Sequence, residues 1–294
     1  MRLGLGLALA LLAATPAAAQ PLPDDALQRR CWLEHTNERT MPDLREPTAV
    51  RFSNLKNGDT VRAPFWVEFG MRGMGVIPAG NPNPKAGHHH LLIDTPLPRD
   101  HQNKIPFSDT HKHFGKAQTG TLLDLPPGQH TLRLLFADHD HRPYFVYSPE
   151  ITVTVAGKRS GPAPTIDRDN FSPSCAAWYQ DQTSAPRPLV APAVYIKNFR
   201  SGEPLASPFV VSLGVLGLGV APAGSSTKDT GHFVLSVTKN RQPVTRVVLA
   251  DGRTETLLDL PRGDYDIELQ FLAGDGKPLL KAAPMTVSVV KQGL

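Results

Sequence analysis

Three HxH pairs stand in the first half of the chain: His88 and His90 in GHHHLLID, His111 and His113 in DTHKHFG, His139 and His141 in FADHDHRP. In extended backbone, residues two apart point to one face, so each pair sets two imidazoles side by side, at about the spacing one metal ion bridges. A single pair is weak evidence, but three within residues 88–141, in a chain with 11 histidines, form a ligand pool. Neutral imidazoles without thiolate suit Cu(II) or Zn(II), and the Irving–Williams order favours copper where both are available. Six imidazoles exceed one tetrahedral site, so either some act as supports or two ions bind. Asp138 and Asp140 flank the last pair and are placed to orient imidazole N–H groups, unless they serve a solvated turn. Met71 and Met74 in GMRGMGV offer sulfur to Cu(I), but core packing is the better reading.

The chain carries its own control, an internal repeat. NLKNGDTVRAPFWVEFGMRGMGVIPAG, GHHHLLID and TGTLLDLPPGQHTLRLLFADHDHRPY return as NFRSGEPLASPFVVSLGVLGLGVAPAG, GHFVLSVT and TETLLDLPRGDYDIELQFLAGDGKPL. Aligned on these landmarks, His88, His89 and His90 meet His232, Phe233 and Val234. His139 and His141 meet Gly274 and Gly276, while His111 and His113 fall opposite Arg246 and Val248. Only one of the six paired histidines is retained, while PAG and TLLDLP persist; the architecture does not need these imidazoles. Met71 and Met74 align with Val215 and Leu218, which supports the core reading.

The same comparison sorts the HHH run. Phe233, Leu235 and Val237 form the more apolar face, so register sends His89, Leu91 and Ile93 to the core and leaves His88, His90 and Leu92 on the other side. His90, replaced by Val234, leads as a ligand; His88, retained as His232, has a partly structural role. His35, His101 and His130 read as structural or solvated, His130 aligning with Tyr265 at a strand start.

These positions sit on short alternating runs separated by turn signals (NGD, PAG, PPGQ, PRGD). With Pro 29, Gly 24 and 7% aromatics, the chain reads as all-β. In DYDIELQFL, Tyr265, Ile267, Leu269 and Phe271 share one face. Each copy of about 100 residues predicts about seven antiparallel strands in an immunoglobulin-like sandwich. The organisation expected is a signal peptide over 1–19, a lead segment over 20–46, a His-rich sandwich over 47–155, a Pro- and Ser-rich linker over 156–192 anchored by Cys175 and Trp178, and a degenerate sandwich over 193–294.

The signal peptide reading rests on Arg2, the apolar run Leu3 to Ala14 and the small residues Ala17–Ala19, which predict cleavage near Ala19 and a periplasmic or secreted mature protein. No later apolar stretch reaches a membrane span. In that compartment Cys31 and Cys175 favour a disulfide over a Cys–Cys metal site, for which no CxxC spacing exists. The net charge of +4 is mild and scattered, which argues against nucleic-acid binding.

At GMGVIPAG, GHHHLLID, HKHFG and TLLDLPPGQHTLRLLFADHDH the sequence resembles a family of exported bacterial domains with a GHHHLLID hallmark, catalogued as a domain of unknown function. The resemblance implies a small periplasmic β domain and brings no activity; any family site belongs in the first copy. Three functions follow from the residues: a periplasmic metal-binding protein, a metal-dependent hydrolase or oxidase, and an envelope interaction or scaffold module with a protein partner. The balance is against an enzyme, because no nucleophile or general base stands out beyond Asp138 and Asp140.

Overall fold

The computed structural model describes residues 20–41 and 48–292; the expected signal peptide lies outside the described residues. Two helices come first, α1 (Ala26–Glu34) and α2 (Thr36–Thr40). Asp25 caps α1, its carboxylate accepting from Leu27 and Gln28 N–H at 3.0 and 2.9 Å.

The first copy then runs β1 (Ala49–Phe52), β2 (Thr60–Ala63), β3 (Phe65–Arg72), β4 (Gly75–Val76), β5 (Ala86–Ile93), β6 (His111–His113), β7 (Gly120–Leu123), β8 (Gly128–Ala137), β9 (Pro143–Tyr147) and β10 (Ile151–Lys158). Helix α3 (Phe171–Ser184) follows. The second copy repeats the order as β11 (Ala193–Ile196), β12 (Glu203–Ser207), β13 (Phe209–Leu216), β14 (Gly219–Val220), β15 (Thr230–Lys239), β16 (Gln242–Val248), β17 (Glu255–Leu258), β18 (Gly263–Leu272), β19 (Pro278–Lys281) and β20 (Met285–Gln292).

Each copy is a sandwich of two sheets. The smaller is β1-β3-β7 in the first copy and β11-β13-β17 in the second. The larger is β2-β10-β8-β5-β4 with β6 on β5 and β9 on β8, mirrored by β12-β20-β18-β15-β14 with β16 and β19. The expected sandwich is present, but its larger sheet is mixed: β2 with β10 and β4 with β5 run parallel, as do their counterparts. Alternation alone reports a buried face, not strand direction, so the antiparallel expectation holds for the other pairings and not for these short ones. In β18, Tyr265, Ile267, Leu269 and Phe271 are all buried, as their spacing requires.

The two copies pack through equivalent faces. Val76 N–H donates to Gly252 C=O at 3.0 Å and Val220 N–H to Ala117 C=O at 3.2 Å. Met71 N–H meets the Thr254 hydroxyl at 3.0 Å, and Val215 N–H meets the Thr119 hydroxyl at 3.1 Å. These reciprocal bonds define a local two-fold relation, and the buried apolar cluster runs through both copies. Met71 is fully buried in it and Met74 packs against it, as core residues.

The stretch between the copies is more ordered than its composition suggests. Cys175, Trp178 and Tyr179 recur at helical spacing on α3 and pack against Cys31 and Trp32 of α1 in a small separate cluster. The Cys31–Cys175 disulfide ties the two helices across 144 residues. Removing it with Cys31→Ser and Cys175→Ser together should cost about 2–5 kcal/mol in a urea titration, because so long a loop is otherwise free in the unfolded chain. His35 lies beside the bridge and stacks on Tyr179 at 3.9 Å. With both sulfurs bonded to each other, that trio does not form the rival Cys–Cys metal site.

Candidate metal centre

Strand β5 is buried on both faces. As register predicts, His89 turns inward, 5.2 Å from Phe69 and 5.1 Å from Phe136 between ring centroids, while Leu91 and Ile93 join the core. His88 and His90 turn the other way, towards the face where Leu92, Ile105, Leu135 and Ala137 form a second small cluster.

Register then selects among the remaining histidines. β6 pairs antiparallel with β5 so that His113 stands opposite His90 and His111 opposite Leu92. His141 arrives from the tight turn between β8 and β9. The rings of His88, His90, His113 and His141 meet: centroids lie 5.0 Å apart for His88 with each of the other three or 5.1 Å for His90 with His113, and 4.7 Å for His113 with His141. Nitrogen atoms of His88, His113 and His141 all lie within 4.8 Å of one another. The Nε2 atoms of His90 and His88 are 3.1 Å apart, as are those of His141 and His113. A tetrahedral site with metal–nitrogen bonds of ~2.0 Å has edges of about 3.3 Å, so these separations suit ligands of a common ion.

The two other histidines of the expected pool are not brought in. His111 Nδ1 sits against the hydroxyls of Thr110 and Ser108 at 3.0 and 3.3 Å. His139 contributes its backbone carbonyl, accepting from Gly80 N–H at 2.9 Å. Asp138 and Asp140 do not orient imidazoles either. Asp138 accepts from Asp140 and Arg142 N–H, both at 2.8 Å, and Asp140 pairs with Lys104 and Arg142. These carboxylates build the turn that carries His141; the solvated-turn alternative holds. His88, a member of the expected pool with a partly structural role, lies at the centre of the ring cluster. His130 bonds Asp94 at 2.7 Å and the Pro126 carbonyl at 2.9 Å, and its counterpart Tyr265 bonds the Pro261 carbonyl at 2.8 Å, a shared structural role. His101 is exposed, with its ring edge-on to Phe145.

Three features were not read from the sequence. His141 has φ of 68°, a left-handed conformation that its counterpart Gly276 adopts at 84°. A side chain there costs roughly 1–3 kcal/mol, and a strained non-glycine residue at such a position points to function. Phe107, 59% exposed, stacks on His113 at 4.5 Å and stands 5.0 Å from His141, covering the cluster. Gly115 leaves room for the His113 ring, since a Cβ there would overlap its Cε1 and Nε2. Matching backbone bonds, Ala79 N–H to Gly115 C=O and Ala223 N–H to Ala250 C=O, show that the second copy carries alanine at this place. Gly115→Ala should therefore weaken metal binding by about tenfold or more in a competition titration while leaving the melting temperature nearly unchanged.

Burial sets the electrostatics. Desolvation pushes His88 and His89 down to about 3 and His90 down to about 2, from an ordinary 6.5, and neighbouring imidazoles, with Lys197 ahead of them for His89, add repulsion; His113 is lowered by burial and by His141. The Nδ1 atoms of His88 and His90, and both nitrogens of His89, are buried without hydrogen-bond partners among the described residues. His88, His89 and His90 are thus held neutral, the form that binds metal. The stability consequence has a definite sign. In the unfolded chain His88, His89 and His90 take up protons as pH falls past about 6.5, whereas in the folded chain they do not until about 3 or below. Stability is complete above that window and drains as pH falls through it, by up to about 1.4 kcal/mol per pH unit for each such group. Melting of metal-free protein between pH 7 and 4 should show a steep decline, shallower in His89→Phe.

The model of a domain of unknown function, DUF4399, matches residues 67–156 and 211–290, one region in each sandwich. The chain belongs to the DUF4399 family. No curated protein matches it. Among solved structures it is similar to the fibronectin(III)-like modules of Clostridium thermocellum CbhA, at 12% identity over 83% of this chain and 94% of that one, with a TM-score of 0.24. A two-domain fibronectin type III segment of chicken tenascin is similar at 11% identity over 82% and 97%, with a TM-score of 0.19. Latent PorU of Porphyromonas gingivalis matches at 13% identity over 86% of this chain but 21% of that one, with a TM-score of 0.27. These overlaps are slight; the sandwich assignment stands on strand order. No helix among the described residues is long and apolar enough to cross a membrane.

Proposed function

We propose that this DUF4399 protein binds a transition-metal ion in its first sandwich through His88, His113 and His141, with His90 beside them, and that the ion is copper or, failing that, zinc. The observation that carries the reading is the convergence of four imidazoles from two strands and a turn, in a chain whose second copy keeps the fold and lacks three of them. An all-nitrogen donor set without thiolate or free carboxylate suits Cu(II) and Zn(II), and affinity order favours copper. The bound ion would supply a fixed positive charge and an acceptor for the imidazole lone pairs. The chain's residues hold it: β5 and β6 fix three rings by register, the strained turn adds His141, and Phe107 limits access to water.

The Cys31–Cys175 disulfide and the apolar N-terminus support an exported protein, with the periplasm as its compartment. A binding role is preferred to a hydrolytic or oxidative one because Asp138 and Asp140, the carboxylates that could act as base, are engaged in the turn. Electron paramagnetic resonance of the full chain loaded with one equivalent of Cu(II) tests the reading. Hyperfine structure from at least three nitrogens, reduced in His88→Ala, is expected; an oxygen-dominated spectrum unchanged by that substitution would overturn it.

A further inference from the structure

A cavity of about 440 Å³, lined by none of the site histidines, lies where the equivalent turns of the two copies, residues 53–59 and 197–203, meet α1, α2, α3 and the chain leaving α3. Six cations line it: Arg39, Arg51, Lys56, Arg187, Lys197 and Arg200. Four are matched, Arg39 by Glu203 at 2.5 Å, Arg51 by Glu255 at 2.7 Å, Lys56 by Glu38 at 2.7 Å and Arg187 by Glu68 at 2.6 Å. Lys197 donates to the carbonyls of Phe69 and Thr119 at 2.6 and 3.2 Å.

Arg200 differs. Its guanidinium stacks on Trp32 at 3.7 Å, and its Nε is buried with no hydrogen-bond partner among the described residues. The nearby Glu203 is already taken: it accepts from Trp32 Nε1 at 2.8 Å, Thr36 at 2.5 Å, Arg39 at 2.5 Å and the Arg200 backbone N–H at 2.9 Å. The local two-fold supplies a comparison. Lys56 occupies the place equivalent to Arg200, with its backbone N–H on Asp59 as that of Arg200 is on Glu203, and Lys56 has Glu38 as counter-ion. Among the described residues no carboxylate bonds the Arg200 guanidinium, and the nearby Glu203 is engaged by the other donors.

Arg200 is thus the one lining cation whose charged group makes neither a carboxylate nor a carbonyl bond among the described residues, so it is left to offer its terminal nitrogens to an anion in the cavity. We propose that this cavity binds a small organic anion, its carboxylate or phosphate on the terminal nitrogens of the Arg200 guanidinium. Trp32 and Tyr179 supply apolar walls, and the volume suits a metabolite rather than a bare ion. The site is independent of the histidine cluster.

Calorimetric titration of the metal-free full chain with citrate, glycerol 3-phosphate and inorganic phosphate tests this. Saturable one-to-one binding of citrate marks a carboxylate ligand, and of glycerol 3-phosphate a phosphate ligand, either weakened about tenfold or more in Arg200→Met and unaffected in His113→Ala. Should Arg200→Met fail to fold, Arg200→Lys, which keeps the charge and loses the fork, should show the same direction. Absence of saturation with both organic anions, or equal affinity in the folded Arg200 variant, overturns the proposal.

Discussion

His113→Ala should lower the affinity of the full chain for Cu(II) and for Zn(II) by at least about 100-fold, or ~2.7 kcal/mol, in titration against a chelator of known strength. The magnitude follows from position. His113 faces His90 across the β5–β6 ladder, has its Nε2 3.1 Å from that of His141, and shares the ligand trio with His88. On the proposed site, its loss would remove one bond to the ion and open the cluster beneath Phe107. His111→Ala and His139→Ala serve as matched comparisons: each removes an imidazole from an HxH pair, yet each should change affinity less than about threefold. The metal-free stability of His113→Ala should change little, since the ring is only partly buried. Equal losses from all three substitutions would contradict the geometric selection.

Glu203→Ala carries the largest expected effect on stability. The carboxylate is fully buried and joins α1, α2 and β12: Trp32 Nε1, Thr36 and Arg39 from the helices converge on it, together with the Arg200 backbone. Removing it leaves the Arg39 guanidinium buried without its anion and strips three donors of their acceptor. Breaking a buried pair from one side costs about 3–5 kcal/mol, so urea midpoints should fall sharply and α1 and α2 should become open to protease. The disulfide keeps α1 tethered to α3, so early cleavage should fall in α2.

The faces of β5 were legible because the repeat supplies Phe233 where His89 stands, and a period of two leaves no other arrangement. The sandwich, the duplication and the Cys31–Cys175 bridge were legible for similar reasons: alternation, matched landmarks and a single possible pairing. The choice of His113 over His111 was not, since both lie on one side of β6 and only the ladder register decides which meets His90. His141 over His139 depends on a left-handed turn, a conformation that histidine does not announce and Gly276 only hints at. Gly115 was visible as a difference from Ala250, but its meaning required the ring of His113 above it. Helix α3 was missed because proline and serine at its flanks dominate the composition, while Cys175, Trp178 and Tyr179 carry the helical period.

Metal content of untagged protein, isolated from the exported fraction without chelators, tests the metal-binding account most directly. Elemental analysis should find close to one copper or zinc ion per chain in the wild type and a small fraction of that in a variant carrying His88→Ala, His113→Ala and His141→Ala together. Wild-type protein that is folded, disulfide-bonded and free of transition metal, and that takes up copper or zinc no more tightly than the triple variant, would contradict it.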